Sequence, residues 1–126
     1  MSAQDNPSED GLAPLLETSR VCEDMGIDAE GYAELVDIFL DDLPALRAAI
    51  ASVTADDLES FARQCHELCT TLGVIGASRA MLASRRIERD LRSGVQIDLE
   101  LAATGLLREL DTVAGLLAAD FSGQKR

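Results

Sequence analysis

A chain of 126 residues with a formal net charge of −12 is sized for one domain with a modest core, and its acidity argues for solubility and against nucleic acid, whose phosphates need a basic stripe. Aromatics are 3% of the residues and tryptophan is absent, while alanine and leucine dominate, a mixture that loses little freedom on forming helix. No run approaches the ~20 apolar residues of a membrane span, and the acidic first residues do not read as a secretory signal, so the expected location is cytoplasmic.

Residues 1–11 are polar, lack periodicity and read as a disordered lead-in. Leu12, Leu15, Leu16, Ser19, Cys22 and Met25 trace one face of a short helix closed by Gly26, with Pro14 in the first turn, where proline is tolerated. Asp28 is placed to cap the next helix, and Ile27 with Tyr32 has the spacing of a hydrophobic staple. Leu35, Val36, Phe39, Leu40, Leu43, Leu46 and Ile50 give that helix a buried stripe reaching about Val53, with Pro44 expected to bend it.

Thr54-Ala55-Asp56-Asp57 has the pattern of a capping box, framed by Val53 and Leu58 as a second staple. The helix beyond it repeats Leu58, Phe61, Ala62, Cys65, Leu68, Cys69 and Leu72 at steps of three and four, and Gly73 and Gly76 mark its end. A helix over 77–92 follows, with Ala77, Ala80, Met81, Ser84, Ile87, Glu88 and Leu91 on one side. Arg79, Arg85, Arg86, Arg89 and Arg92 lie mostly away from that side, the one concentration of positive charge in an acidic chain. Ser93-Gly94 stops this helix. Asp98 caps the last one, whose stripe is Leu99, Ala102, Leu106, Leu110, Val113 and Leu117. Phe121 is placed to fold back on it, and 122–126 should fray. No strand pattern competes. Helices on short connections predict an all-α fold over 12–121, an up-down-up-down antiparallel four-helix bundle with a short extra N-terminal helix.

The sequence has a single histidine, His66. At ~100° per residue it sits roughly 95° from the centre of the apolar arc, on a flank row with Glu59, Arg63, Thr70 and Gly73. A lone histidine on a helix is ordinarily just a surface residue. Cys22, Cys65 and Cys69 make an odd count, which argues against a disulfide framework. Cys65 and Cys69 beside His66 form an incomplete tetrahedral set, and both fall in the apolar arc, where free cysteine acts as a small hydrophobe. A thiol or metal sensor built on these three residues is one reading of them.

The letters around the histidine suggest another. His66-Glu67-Leu68-Cys69-Thr70-Thr71, with Gly76-Ala77 ten and eleven residues past the histidine, resembles the signature of histidine-containing phosphotransfer (HPt) domains, which reads His-x-Leu-Lys-Gly-Ser and then Gly-Ala at that distance. His66, Leu68, Gly76 and Ala77 match, and Thr71 stands near the serine. Cys69 replaces the lysine and Thr70 the glycine. The run Asp37-Ile38-Phe39-Leu40-Asp41-Asp42-Leu43-Pro44 also looks like the second helix of such domains.

The resemblance implies a phosphorelay carrier, not an enzyme with its own turnover site. His66 would receive a phosphoryl group from, or pass it to, an aspartate of a response-regulator receiver domain or hybrid histidine kinase, and that partner would bring the Mg²⁺. No cofactor of the chain's own is expected, and a monomer is favoured. Glu88, twenty-two residues past His66 and after Ile87, occupies the place where the family often has glutamate or glutamine. There it would accept a hydrogen bond from Nδ1–H and leave Nε2 as nucleophile; the alternative is an ordinary exposed glutamate paired with Arg92 or Arg85. In the family the lysine helps neutralise the phosphoryl group and the glycine clears space for the receiver. Arg63, one turn before His66, is the expected substitute cation, and Thr70 offers a hydroxyl to a phosphoryl oxygen. The expected docking surface is Glu59, Arg63, Thr70 and Gly73. A degenerate relative that binds a receiver or kinase without efficient transfer is the alternative within this family.

Overall fold

The computed structural model describes residues 13–120. These form five helices, here α1 (Thr18–Met25), α2 (Ala29–Ala51), α3 (Leu58–Ile75), α4 (Ser78–Arg92) and α5 (Leu99–Asp120), with a 3-10 turn at Ala55–Asp57. No strand occurs among the described residues, and the fold is all-α. The expected lead-in at 1–11, Leu12, Phe121 and the tail at 122–126 lie outside them. No helix among the described residues is long and apolar enough to cross a membrane.

The helical period of the apolar residues builds the core. Tyr32, Val36, Phe39, Leu43 and Ile50 of α2 meet Phe61, Cys65, Leu68 and Leu72 of α3 and Leu106, Leu110, Val113 and Leu117 of α5 in one buried cluster. Helix α4 contributes small groups, Ala80 and Ser84, both fully buried. Small side chains let backbones approach, and α3 and α4 make the most extensive helix pair. Gly73 belongs to this fit, since a Cβ there would lie 3.2 Å from Met81 Sδ. Helix α2 packs on α3 and α5, and α5 also packs on α4. The Tyr32 hydroxyl ties α2 to the end of α3 by donating to the Ile75 carbonyl at 2.6 Å.

Two caps fall at the expected residues. Asp28 accepts from the Gly31 amide at 2.9 Å, and Asp98 from the Leu101 amide at 3.0 Å. Gly26 and Gly76 close α1 and α3 in the left-handed region, at φ 69° and 79°.

Other boundaries differ from the sequence reading. Helix α1 begins at Thr18, so Leu15 and Leu16 precede it. The residues before it are engaged elsewhere: the Glu17 amide donates to the Gly76 carbonyl at 2.9 Å, and the Arg79 amide to the Pro14 carbonyl at 3.0 Å. Residues 14–17 thus form a strap over the α3–α4 turn, and groups bonded there cannot close helical turns. Thr54 makes no side-chain cap. A capping box needs a Glu or Gln long enough to reach back, and Asp57 is too short. Asp57 caps α3 itself, accepting from the Ser60 amide at 3.2 Å. Leu58 consequently sits in the first turn, 42% exposed, and not in the core. Gly73 does not end α3, which runs on to Ile75, and α2 ends at Ala51 rather than Val53. Pro44 lies inside α2 without breaking it.

Candidate functional site

His66 stands in the middle of α3 between two anchors, Cys65 and Leu68, that are buried beneath it. Its own side chain is 65% exposed. Packing therefore fixes the backbone under the imidazole while leaving the ring open. Across the tight α3–α4 contact, both carboxylate oxygens of Glu88 approach Nδ1, at 3.1 and 3.2 Å. Nε2 has no hydrogen-bond partner among the described residues. A carboxylate beside Nδ1 favours the tautomer with the proton on that nitrogen, which leaves the lone pair on Nε2.

Glu88 is largely covered, with its side chain 16% exposed. It is held from the other side as well, because Arg92 Nε donates to its Oε2 at 2.8 Å. Arg92 Nη1 then reaches Glu59 on α3 at 3.4 Å. The two readings of Glu88, imidazole partner and arginine partner, hold together. The Arg92 hydrogen bond is the main influence keeping the Glu88 carboxyl below the usual carboxylate range, against its partial desolvation, and His66 adds to it. The same bond raises the Arg92 guanidinium. Glu88 is thus held as an anion facing the ring.

The other flank residues are arranged less uniformly. Arg63 is 59% exposed and leans toward Glu59, with Nη1 4.0 Å from Oε2. Thr70 is exposed, but its hydroxyl donates to the His66 carbonyl at 3.4 Å and so turns toward its own helix. Gly73 is half-buried and faces Met81. Glu59, Arg63, His66 and Thr70 share the open flank, whereas Gly73 turns toward α4.

Sequence reasoning missed an apolar shelf next to this flank. Thr70 and Val74 line two shallow grooves, one of about 370 Å³ with Met25 and Val21, the other of about 240 Å³ with Leu35 and Ile38. Met25, Ile38 and Val74 are 50%, 59% and 42% exposed. Ile38 was the available signal, an apolar residue off the Leu35–Phe39 stripe. Glu59 was placed on the docking row, but its bond to Arg92 across α4 was not foreseen.

The cysteines make none of these hydrogen bonds to the ring or to Glu88. Cys65 is fully buried, and burial pushes its thiol up to about 12. Cys69 is half-buried rather than part of the core, and Cys22 makes a long contact to the Asp28 carbonyl at 3.8 Å. Among the described residues no three His, Cys, Asp or Glu side chains gather as a metal site.

No family model, curated protein or solved structure matches the chain.

Proposed function

We propose that the chain is a phosphorelay carrier of the histidine phosphotransfer type, with His66 as the phosphoryl acceptor. The observation that carries this reading is the exposed imidazole whose Nδ1 meets the Glu88 carboxylate at 3.1 Å. An imidazole held by a hydrogen bond at Nδ1 presents the Nε2 lone pair as a nucleophile without needing a separate base. In the transfer, the Nε2 lone pair forms the N–P bond as the acyl-phosphate P–O bond of the partner's aspartate breaks, and the aspartate leaves as carboxylate. The reverse step returns the group to a second aspartate. The partner brings the Mg²⁺, so the carrier needs only a positioned, reachable ring.

We read α2 to α5 as an up-down-up-down four-helix bundle, on the support of the ring of helix contacts. Within this reading Glu59, Arg63 and Thr70, with the apolar shelf of Met25, Ile38 and Val74, form the docking face for a receiver domain or a hybrid kinase. The protein acts in the cytoplasm, as a monomer and without a cofactor of its own.

A second reading draws on Cys69 and Thr70. An uncharged residue and an exposed branched one at these places suit a module that docks without transferring. The thiol or metal sensor gains nothing from a Cys65 thiol turned into the core. The test is phosphoryl transfer from phosphorylated receiver domains of the same genome to wild type and to His66→Gln. Transfer to wild type alone is the expected result. Binding to a receiver with no transfer to either protein would establish the docking module instead.

A further inference from the structure

Two contacts fix the register of α3 against α4: Gly73 faces Met81, and His66 faces Glu88. Arg92 reaches Glu59 from three residues out of that register. Seven residues back along α3 from Gly73 to His66 match seven forward along α4 from Met81 to Glu88. By the same antiparallel count, Cys69, three residues past His66, lies level with Arg85, three residues before Glu88. Met81, Arg85, Glu88 and Arg92 also share one row of α4, being spaced four, three and four apart.

Met81, Glu88 and Arg92 in that row all reach α3. Arg85 is exposed and has no carboxylate partner among the described residues. Of the other cations near the ring, Arg92 is engaged by Glu88 and Glu59, and Arg63 leans toward Glu59. A phosphoryl group arriving at Nε2 also meets an acidic setting. Glu88 faces the ring from α4, and Glu59 and Glu67 lie on the same helix as His66, in a chain of net charge −12.

We propose that Arg85 binds the phosphoryl group on His66 Nε2, supplying from the neighbouring helix the positive charge that Cys69 does not carry. This inference rests on the carrier reading of His66. A guanidinium suits the task because its planar fork can hold two phosphoryl oxygens at once. It enters the site from the side opposite Arg92, so the Glu88–Arg92 pair remains intact while the phosphoryl group is bound. Arg85 neither gives nor takes a proton.

The test uses the full chain and phosphoramidate, a small donor that requires no docking partner. The Nε2 lone pair forms the N–P bond as the donor's P–N bond breaks, and the leaving nitrogen departs as ammonia after taking up a proton. Phosphohistidine is followed by ³¹P NMR, with circular dichroism confirming that each variant is folded. Arg85→Ala should form it about tenfold more slowly, as expected for losing one charge-assisted contact. Its phosphoryl resonance should titrate at higher pH than in wild type. Arg108→Ala, which removes an exposed cation of α5 away from the ring, should stay within about twofold of wild type, a change too small for a direct contact. Cys69→Lys in the Arg85→Ala background should recover the rate. Wild-type rate and wild-type titration in Arg85→Ala would overturn the proposal. If the wild type forms no phosphohistidine under these conditions, the carrier reading itself fails and this one with it; that outcome is distinct because it appears without any substitution at Arg85.

Discussion

Replacing Gly76 by alanine separates two costs that are usually measured together. Gly76 sits at φ 79°, where a Cβ costs roughly 1–2 kcal/mol. The new Cβ would also lie 2.7 Å from Val21 Cγ2 and 3.1 Å from the Glu17 carbonyl oxygen. Neither neighbour can yield alone. That carbonyl accepts from the Val21 amide at 3.1 Å, and the Glu17 amide is bonded to Gly76 itself, so α1 and the strap must shift together. Overpacking of this kind costs about 1–3 kcal/mol, giving Gly76→Ala a total of about 2–5 kcal/mol. Gly26 is the control: its φ of 69° is similar, but nothing lies within 4 Å of its Cβ position, so Gly26→Ala should lose only the backbone part. Urea unfolding followed by circular dichroism reads the difference. With a slope of about 1–2 kcal/mol/M, the Gly76→Ala midpoint should fall about 1 M further than that of Gly26→Ala. Equal midpoints for the two variants would refute the claim that close packing against Val21 is what requires glycine at 76.

Three further outcomes follow from the site. In wild type, ¹⁵N NMR of the His66 ring should show the proton held predominantly on Nδ1, and Glu88→Ala should lose that preference; identical tautomer populations would remove Glu88 from its positioning role. Because the folded state depresses the Glu88 carboxyl, its contribution to stability is complete above the ordinary carboxylate pKa and is lost as pH falls through the lower, folded value. The stability gap between wild type and Glu88→Gln should therefore be open at neutral pH and close in acid, and a gap that does not vary with pH would contradict the assignment. With a thiol-labelling disulfide reagent at mildly alkaline pH, Cys22 and Cys69 should react in the folded protein, while Cys65, buried with its thiol near 12, should react only on unfolding.

The helical period carried most of the core into view from the letters alone, because Val36, Phe39, Leu68, Leu72, Leu110 and Leu117 obey it and are buried. It failed where backbone groups had a competing partner. Leu15 and Leu16 fit the face of a first helix, but the strap to Gly76 and Arg79 is a long-range bond that no local pattern announces. Thr54 failed for a different reason, since the box was read by position and Asp57 lacks the reach that the position requires. At the site, the family resemblance singled out Glu88, and its carboxylate meets His66 because α3 and α4 form a tight hairpin whose turn fixes the register. Arg85 was invisible as a neighbour of Cys69 until that register was known. The periodicity set Arg85 away from the apolar side, which is true, and being off the core is what leaves its charge uncommitted.

Helices α3 and α4 are clamped at both ends. At the turn, the strap bonds Glu17 to Gly76 and Pro14 to Arg79, and the Ser78 hydroxyl donates to the Glu17 carboxylate. At the open end, Arg92 spans to Glu59. A hairpin pinned twice behaves like a caliper locked at one setting, with sliding of one arm along the other suppressed. The gap bridged by His66 and Glu88 is then a built-in dimension of the molecule, present before any visitor arrives, and the ordering that a loose ring would demand at each encounter has already been met during folding.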